Sequence, residues 1–420
     1  MNENDRSIVS IASVSHALVH TYELTIPIFM VIWLSEFGTT EAVLGLIVAI
    51  GYGLFGIGAL PSGIVVDKVG SQRLIAACLA GMGVSFVVLS LATNLLAVAG
   101  AVILWGAAAS IYHPAGLSLI STGVEDSNNG FAYHGMAGNA GIALGPLISV
   151  ILLLVADWRL VATLLAIPAF VAIALILRAD IDERAAVETP DDVADDDGSR
   201  GDPDVSSIRE LFTVSKTLFV GGFSLVFLIL VFNRLYYRGI LTFLPDLLSG
   251  FVGDDLVSLG TVEQHFNPSD FVYIAILMVG IGGQFAGGRA LDRIRVEKGL
   301  TVGYLALIAI ALLFSIVAET GIVFLVAVSL LLGFVLFSLQ PMYQFAVAEY
   351  TSADTRGLAY GYTYVAQFGI GALGAAVVGL VLTHATVGVM FLTLGAFAFL
   401  AAVVSAALFW RSERGLEKPV

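Results

Sequence analysis

Gly63-Ile-Val-Val-Asp67-Lys68-Val-Gly70-Ser-Gln-Arg73 closes one long apolar run and opens the next, and Gly288-Arg-Ala-Leu-Asp292-Arg293 does the same in the second half of the chain. Each places charges in a short gap between stretches long enough to cross a bilayer. Working outward, apolar runs of this kind fall at 8–34, 41–66, 73–92, 95–121, 131–156, 159–178, 214–247, 270–290, 300–318, 322–349, 357–381 and 386–410. A span of about 20 apolar residues crosses a bilayer as a helix. The expected fold is therefore all-α and polytopic, with 12 transmembrane helices.

Charge gives the orientation. Of the 19 Lys and Arg residues, all but Arg159, Arg234 and Arg238 fall in gaps that lie inside if the N-terminus is inside. Cytoplasmic loops retain Lys and Arg, so both termini are expected in the cytoplasm. The chain is 58% hydrophobic and 12% charged and holds 45 Gly, a composition for close-packed membrane helices rather than a soluble core. The first run carries His16, His20 and Glu23 and has no small-residue cleavage site after it, so it is expected to stay as a helix rather than leave as a signal. Cys78 is the single cysteine, which excludes an internal disulfide and a thiolate metal site.

Net charge is −14, and Asp180 to Glu210 concentrates acids beside Pro190, Gly198, Gly201 and Pro203. Such a segment repels itself and has no apolar anchor, so 179–213 reads as a cytoplasmic linker between bundles at 1–178 and 214–420. The negative sign disfavours nucleic acid as a partner. Scarce lysine with abundant acid resembles the usage of halophilic prokaryotes, where salt screens the surface.

The two bundles repeat one another weakly at several points. Pro27 in the first span matches Pro245 in the seventh; counting back sets His16 opposite Arg234 and His20 opposite Arg238. Gly130-Phe-Ala-Tyr133 opens the fifth span as Gly357-Leu-Ala-Tyr360 opens the eleventh, and Pro114 lies near the place of Pro341. With the Asp67-Lys68 and Asp292-Arg293 pairs, this pattern resembles the major facilitator superfamily. The resemblance implies two pseudo-symmetric six-helix bundles that work by alternating access. Gly63, Asp67, Lys68, Gly70, Arg73, Asp292 and Arg293 are then gating candidates: Asp67 is expected to accept from the first amides of a neighbouring helix, with Lys68 and Arg73 reaching Glu125 or Asp126. Gly141, Gly145 and Pro146 join them, because glycines allow close helix approach and Pro146 frees a carbonyl; simple packing is the equal reading.

His16, His20 and Glu23 share one helix face, about 12 to 23 Å into the bilayer for a helix beginning near Ile8. Ionisable groups at that depth belong against protein or water, so the three are cavity candidates, as are Asn139, Gln344, Tyr364 and Gln367. Arg234 and Arg238 share the equivalent face of the seventh span and stay charged at any working pH, which suits an anionic solute. Glu23, His16, His20, His113 and His134 are candidates for proton exchange. His113 and His134 are expected to meet across the hairpin of the fourth and fifth spans. Two histidines do not make a metal site, and none is expected; nor is a cofactor.

Ser15-His16 with Glu23 and Pro27, Tyr112-His113-Pro114, Gly138-Asn139, Leu144-Gly145-Pro146 and Gly239-Ile-Leu-Thr-Phe-Leu-Pro245 resemble the fosmidomycin-resistance type within that superfamily. That closer resemblance implies export of a small polar, phosphonate-bearing solute or drug by proton exchange, as an antiporter. The partners expected besides solute and protons are membrane lipids, and the chain is expected to work as a monomer, since one such chain could enclose its own cavity. Organic-anion uptake, facilitated transport and a non-transporting receptor or structural role stand beside it. No nucleophile–base pair is placed for catalysis, so the chain is not expected to be an enzyme.

Overall fold

The computed structural model describes residues 1–186, 215–216, 218–252, 268–317, 322–352 and 356–415. Most of the acidic 179–213 segment, and His265, lie outside the described residues. Twelve helices are long and apolar enough to cross a membrane: α1 Glu3–Glu36, α2 Glu41–Gly63, α3 Ser71–Ser90, α4 Leu95–Gly123, α5 Asn129–Leu153, α6 Trp158–Ile176, α7 Phe223–Gly250, α8 Pro268–Ala290, α9 Val296–Phe314, α10 Val323–Glu349, α11 Leu358–His384 and α12 Val387–Glu413. Among the described residues there is no strand.

The chain divides into two compact units. Unit 1 is Met1–Ile32 with Ile50–Gly201, and unit 2 is Trp33–Ala49 with Asp202–Val420. Within them burial is uneven: α1 and α7 are each 72% buried over their most apolar window, against 33% for α12. The helices that carry His16, His20 and Glu23 and Arg234 and Arg238 are thus the two most enclosed, as the cost of charge in lipid favours.

Small residues set the packing in unit 1. Gly51 of α2 and Gly106 of α4 meet backbone to backbone, with no room for a Cβ on Gly106. α4 then breaks between Leu95–Ala109 and Tyr112–Gly123. A Cβ on Gly58 of α2 would lie 2.7 Å from the Ser110 Cβ at that break. The second half of α4 opens with Tyr112 and His113, both buried. Along α1, Gly141 packs on the Ala17 backbone, Gly145 on the Thr21 backbone, and Ser149 Oγ bonds Thr25 Oγ1 at 2.8 Å. The contacts on α1 advance by one turn each, a ridge of small α5 residues laid along one helix.

Unit 2 repeats the device with different residues. Gly374 of α11 packs on the Leu235 backbone of α7, and Gly379 on the Glu41 carbonyl of the 33–49 segment. Ala42 N donates to Thr383 Oγ1 at 2.9 Å. α11 is not a uniform helix: Val365–Ile370 form a π-helical turn, with Gly371 N donating to Ala366 O at 2.8 Å. A π-turn inserts one residue, so side chains after it are rotated away from the register that a plain helix predicts.

Between α2 and α3 the backbone turns through Gly70 at φ 90°, ψ 147°. This region is open to glycine alone. The first amides of α3, at Ser71 and Gln72, donate to the Glu183 carboxylate at 2.7 and 3.1 Å. An acid that caps this helix is therefore Glu183, beyond α6; the side chain of Asp67 lies outside the described residues. Lys68 and Arg73 are exposed, and among the described residues no ion pair joins them to Glu125 or Asp126. The backbone amides of these two residues instead donate to the Asp5 carboxylate, Glu125 N at 3.1 Å and Asp126 N at 3.4 Å. In the corresponding place of unit 2, Asp292 and Arg293 are exposed, with Arg289 at 4.0 Å from Asp292. A solvated pair at that range adds little stability.

Candidate functional site

In unit 1 the polar face of α1 collects four histidines and one carboxylate. His16, His20, Glu23, His113 and His134 are all buried. His16 Nδ1 lies 2.7 Å from the His134 carbonyl, which can only accept, so His16 donates from Nδ1. His20 Nδ1 lies 2.5 Å from Glu23 Oε2, and the two Nε2 atoms of His16 and His20 face one another at 3.1 Å. Tyr52 OH donates to the Glu23 carbonyl at 2.8 Å and ties α2 to this turn of α1.

The other two rings gather on His16. The His134 ring stacks on it at 3.9 Å between centroids, and the His113 ring stands edge-on at 5.3 Å. The expected meeting of His113 with His134 is thus mediated by His16 of α1, a partner that hairpin spacing alone does not reveal. Tyr112 OH donates to the Ala12 carbonyl and so accepts from His134 Nε2, 3.1 Å away. Gly138 makes the arrangement sterically possible: a Cβ there would lie 2.7 Å from His16 Nδ1 and 2.9 Å from Nε2. Asn139, the next residue, is half-buried, and Pro146 is buried within α5.

In unit 2 the equivalent face of α7 carries Arg234 and Arg238, both buried. The Arg234 guanidinium donates to Tyr343 OH and lies over the Tyr237 and Tyr343 rings at 4.8 and 4.9 Å. Arg238 lies over Phe368 at 4.9 Å and Tyr237 at 5.7 Å. Aromatic faces supply negative quadrupole where water is excluded, which keeps a buried guanidinium charged. Gly371 of α11 abuts the Arg234 side chain, its hypothetical Cβ 2.5 Å from Arg234 Cβ.

This geometry redistributes the aromatic candidates. Gln344 is exposed, whereas Tyr343, one residue earlier, is the α10 side chain on Arg234. Tyr364 and Gln367 are half-buried near the π-turn, where Tyr364 stacks on Phe368 at 6.2 Å. Tyr362 instead bonds Ser215 Oγ at 2.7 Å and packs among Phe219 and Phe227. Tyr343 lies in the Gln340–Gln344 run that the sequence marks as polar and aromatic candidates, but sequence reasoning missed Tyr237 and Phe368; the signal available was their adjacency to Arg238 and Gln367.

The described residues thus form twelve membrane-length helices with buried ionisable faces on α1 and α7. The Major Facilitator Superfamily model matches residues 12–375 and 271–420, and the chain belongs to that family. It is a secondary transporter rather than an enzyme. No curated protein matches it. Among solved structures, a nucleoside transporter is similar with a TM-score of 0.75 at 16% identity, covering 97% of this chain and 100% of that one. A D-xylose–proton symporter follows with 0.74 at 14% identity, covering 96% and 97%. A bacterial homologue of the human lysosomal transporter Spinster gives 0.72 at 14%, covering 97% and 99%.

Proposed function

We propose that this carrier moves a small anionic solute, of the phosphonate or carboxylate class, outward in exchange for protons by alternating access. The observation that carries the reading is the buried pair Arg234 and Arg238, held among Tyr237, Tyr343 and Phe368. Two permanent positive charges on one helix face favour a solute with at least one negative charge, and guanidinium donors match the geometry of carboxylate and phosphonate oxygens. The motif patches shared with the fosmidomycin-resistance type favour export and phosphonate. Proton coupling draws support from the D-xylose–proton symporter among the similar folds. In the same reading both termini face the cytoplasm, one copy is the working unit, and the acidic chain suits a salt-rich cell.

The test is flux in proteoliposomes at high salt, with fosmidomycin and a dicarboxylate as probes and an imposed proton gradient. The wild type is expected to accumulate a probe in the direction opposite to the downhill flow of protons. Arg234→Gln is expected to weaken binding about tenfold to a hundredfold, the scale for losing a charged hydrogen-bond partner, while Arg234→Lys retains part of it. Equal transport with and without the gradient would assign facilitated transport instead; binding without flux would assign a receptor.

A further inference from the structure

The cluster in unit 1 has a chemistry that anion recognition does not use. His16 Nδ1 donates to the His134 carbonyl at 2.7 Å, which leaves Nε2 of the neutral ring with a bare lone pair. With Glu23 ionised, its carboxylate only accepts, so His20 donates to it from Nδ1 at 2.5 Å and its neutral ring keeps Nε2 in the same condition. These two Nε2 atoms point at each other across 3.1 Å. Two lone pairs cannot bond; the gap takes a cation, either a proton or a metal ion.

Three features favour the metal. His113, from the broken helix α4, completes a group with His16 and His20 whose ligand atoms all lie within 4.8 Å of one another. A bridging proton needs two nitrogens; a third imidazole is what a metal ion needs. Secondly, metal-bound histidines characteristically give their other N–H to a carboxylate or a backbone carbonyl, and here His20 gives it to Glu23 and His16 to His134. Finally, tetrahedral coordination with metal–nitrogen bonds of about 2.0–2.1 Å separates two ligand nitrogens by about 3.4 Å, close to the His16–His20 spacing.

We propose that His16, His20 and His113 form a binding site for a first-row transition dication, Zn²⁺, Co²⁺ or Ni²⁺, with Glu23 and the His134 carbonyl orienting two of the ligands. Imidazole nitrogen selects these ions over Mg²⁺ and Ca²⁺. Three protein ligands leave the fourth position open for water or a small anion. Gly138 belongs to the site, since any side chain there displaces the His16 ring. The site uses residues of unit 1 alone and does not depend on the arginine pair.

Purified full-length protein, stripped with chelator and held in lipid nanodiscs, is titrated with Co²⁺ and read by its visible absorption. One equivalent is expected to give the intense bands of a four-coordinate nitrogen site, displaced by Zn²⁺ and not by Mg²⁺. His113→Gln is expected to abolish the bands, and Glu23→Gln to weaken affinity about tenfold to a hundredfold, the scale of a lost orienting partner. His384→Gln, at an exposed position on α11, is expected to change nothing. Circular dichroism and melting verify that each variant is folded. No four-coordinate spectrum in folded wild type, or the same spectrum in folded His113→Gln, would overturn the site; either result leaves the anion reading standing, because phosphonate binding is measured separately.

Discussion

Which glycine sits beside which ionisable residue decides how the polar faces can exist. A Cβ at Gly138 meets the His16 ring, and a Cβ at Gly371 meets Arg234 Cβ, whereas Gly63 has nothing within 4 Å. Gly138→Ala and Gly371→Ala are therefore expected to cost about 1–3 kcal/mol each, the range for overpacking a tight site. Gly63→Ala should leave stability unchanged or raise it slightly, because alanine favours helix. Melting of the three variants in nanodiscs checks this; a loss at Gly63 matching that at Gly138 would show that the packing described for α1 and α5 is not what limits them. The Pro27 and Pro245 count sets His16 opposite Arg234 in the sequence, and the structure places a glycine of another helix against each. The choice of Tyr343 over Gln344 was not legible, since neighbouring helix positions differ by about 100° in direction and only the packing of α10 selects one.

For whole elements, legibility depended on regularity. The i, i+4 and i+7 spacing of His16, His20 and Glu23 gave a shared face because α1 is continuous there, and the His20 contacts to both partners follow. α11 defeated the same reasoning. Its π-turn at Val365–Ile370 rotates Gln367 and Phe368 relative to Tyr360 and Tyr364, and no sequence signal marks the extra residue. If this turn is what lays Phe368 against Arg238, deleting Val365 should restore a plain α-helix and remove that contact. A cation–π pair of this kind is worth about 1–2 kcal/mol when desolvated, so the deletion is expected to weaken phosphonate binding about tenfold with the melting temperature little changed. Unchanged affinity would mean that the Arg238 environment does not depend on the π-turn. The α2–α3 junction shows the opposite kind of limit: Gly70 was identified, but its helix cap, Glu183, lies more than a hundred residues along the chain, beyond any local pattern.

Over the whole molecule, the twelve spans were readable because hydropathy is a property of each segment alone, while membership of the units is not. Trp33–Ala49 groups with unit 2 through contacts such as Gly45 with the Ala375 carbonyl, which no composition shift announces. The orientation expected from the sequence rests on charge summed over all the gaps, and the one base in an outward gap is instructive. Arg159 Nε and Nη2 donate to the Ala92 carbonyl just past α3, at 3.1 and 2.9 Å, and its guanidinium lies 4.4 Å over Trp158. A base held at the end of a helix, where the dipole is negative, has a structural reason to be there that does not oppose the inside-positive rule. Arg159→Gln is accordingly expected to lower the melting temperature without altering topology. Reporters fused to each terminus, tested with a membrane-impermeant reagent on intact cells, should be protected in wild type and variant alike, and labelling of either terminus from outside would reverse the orientation.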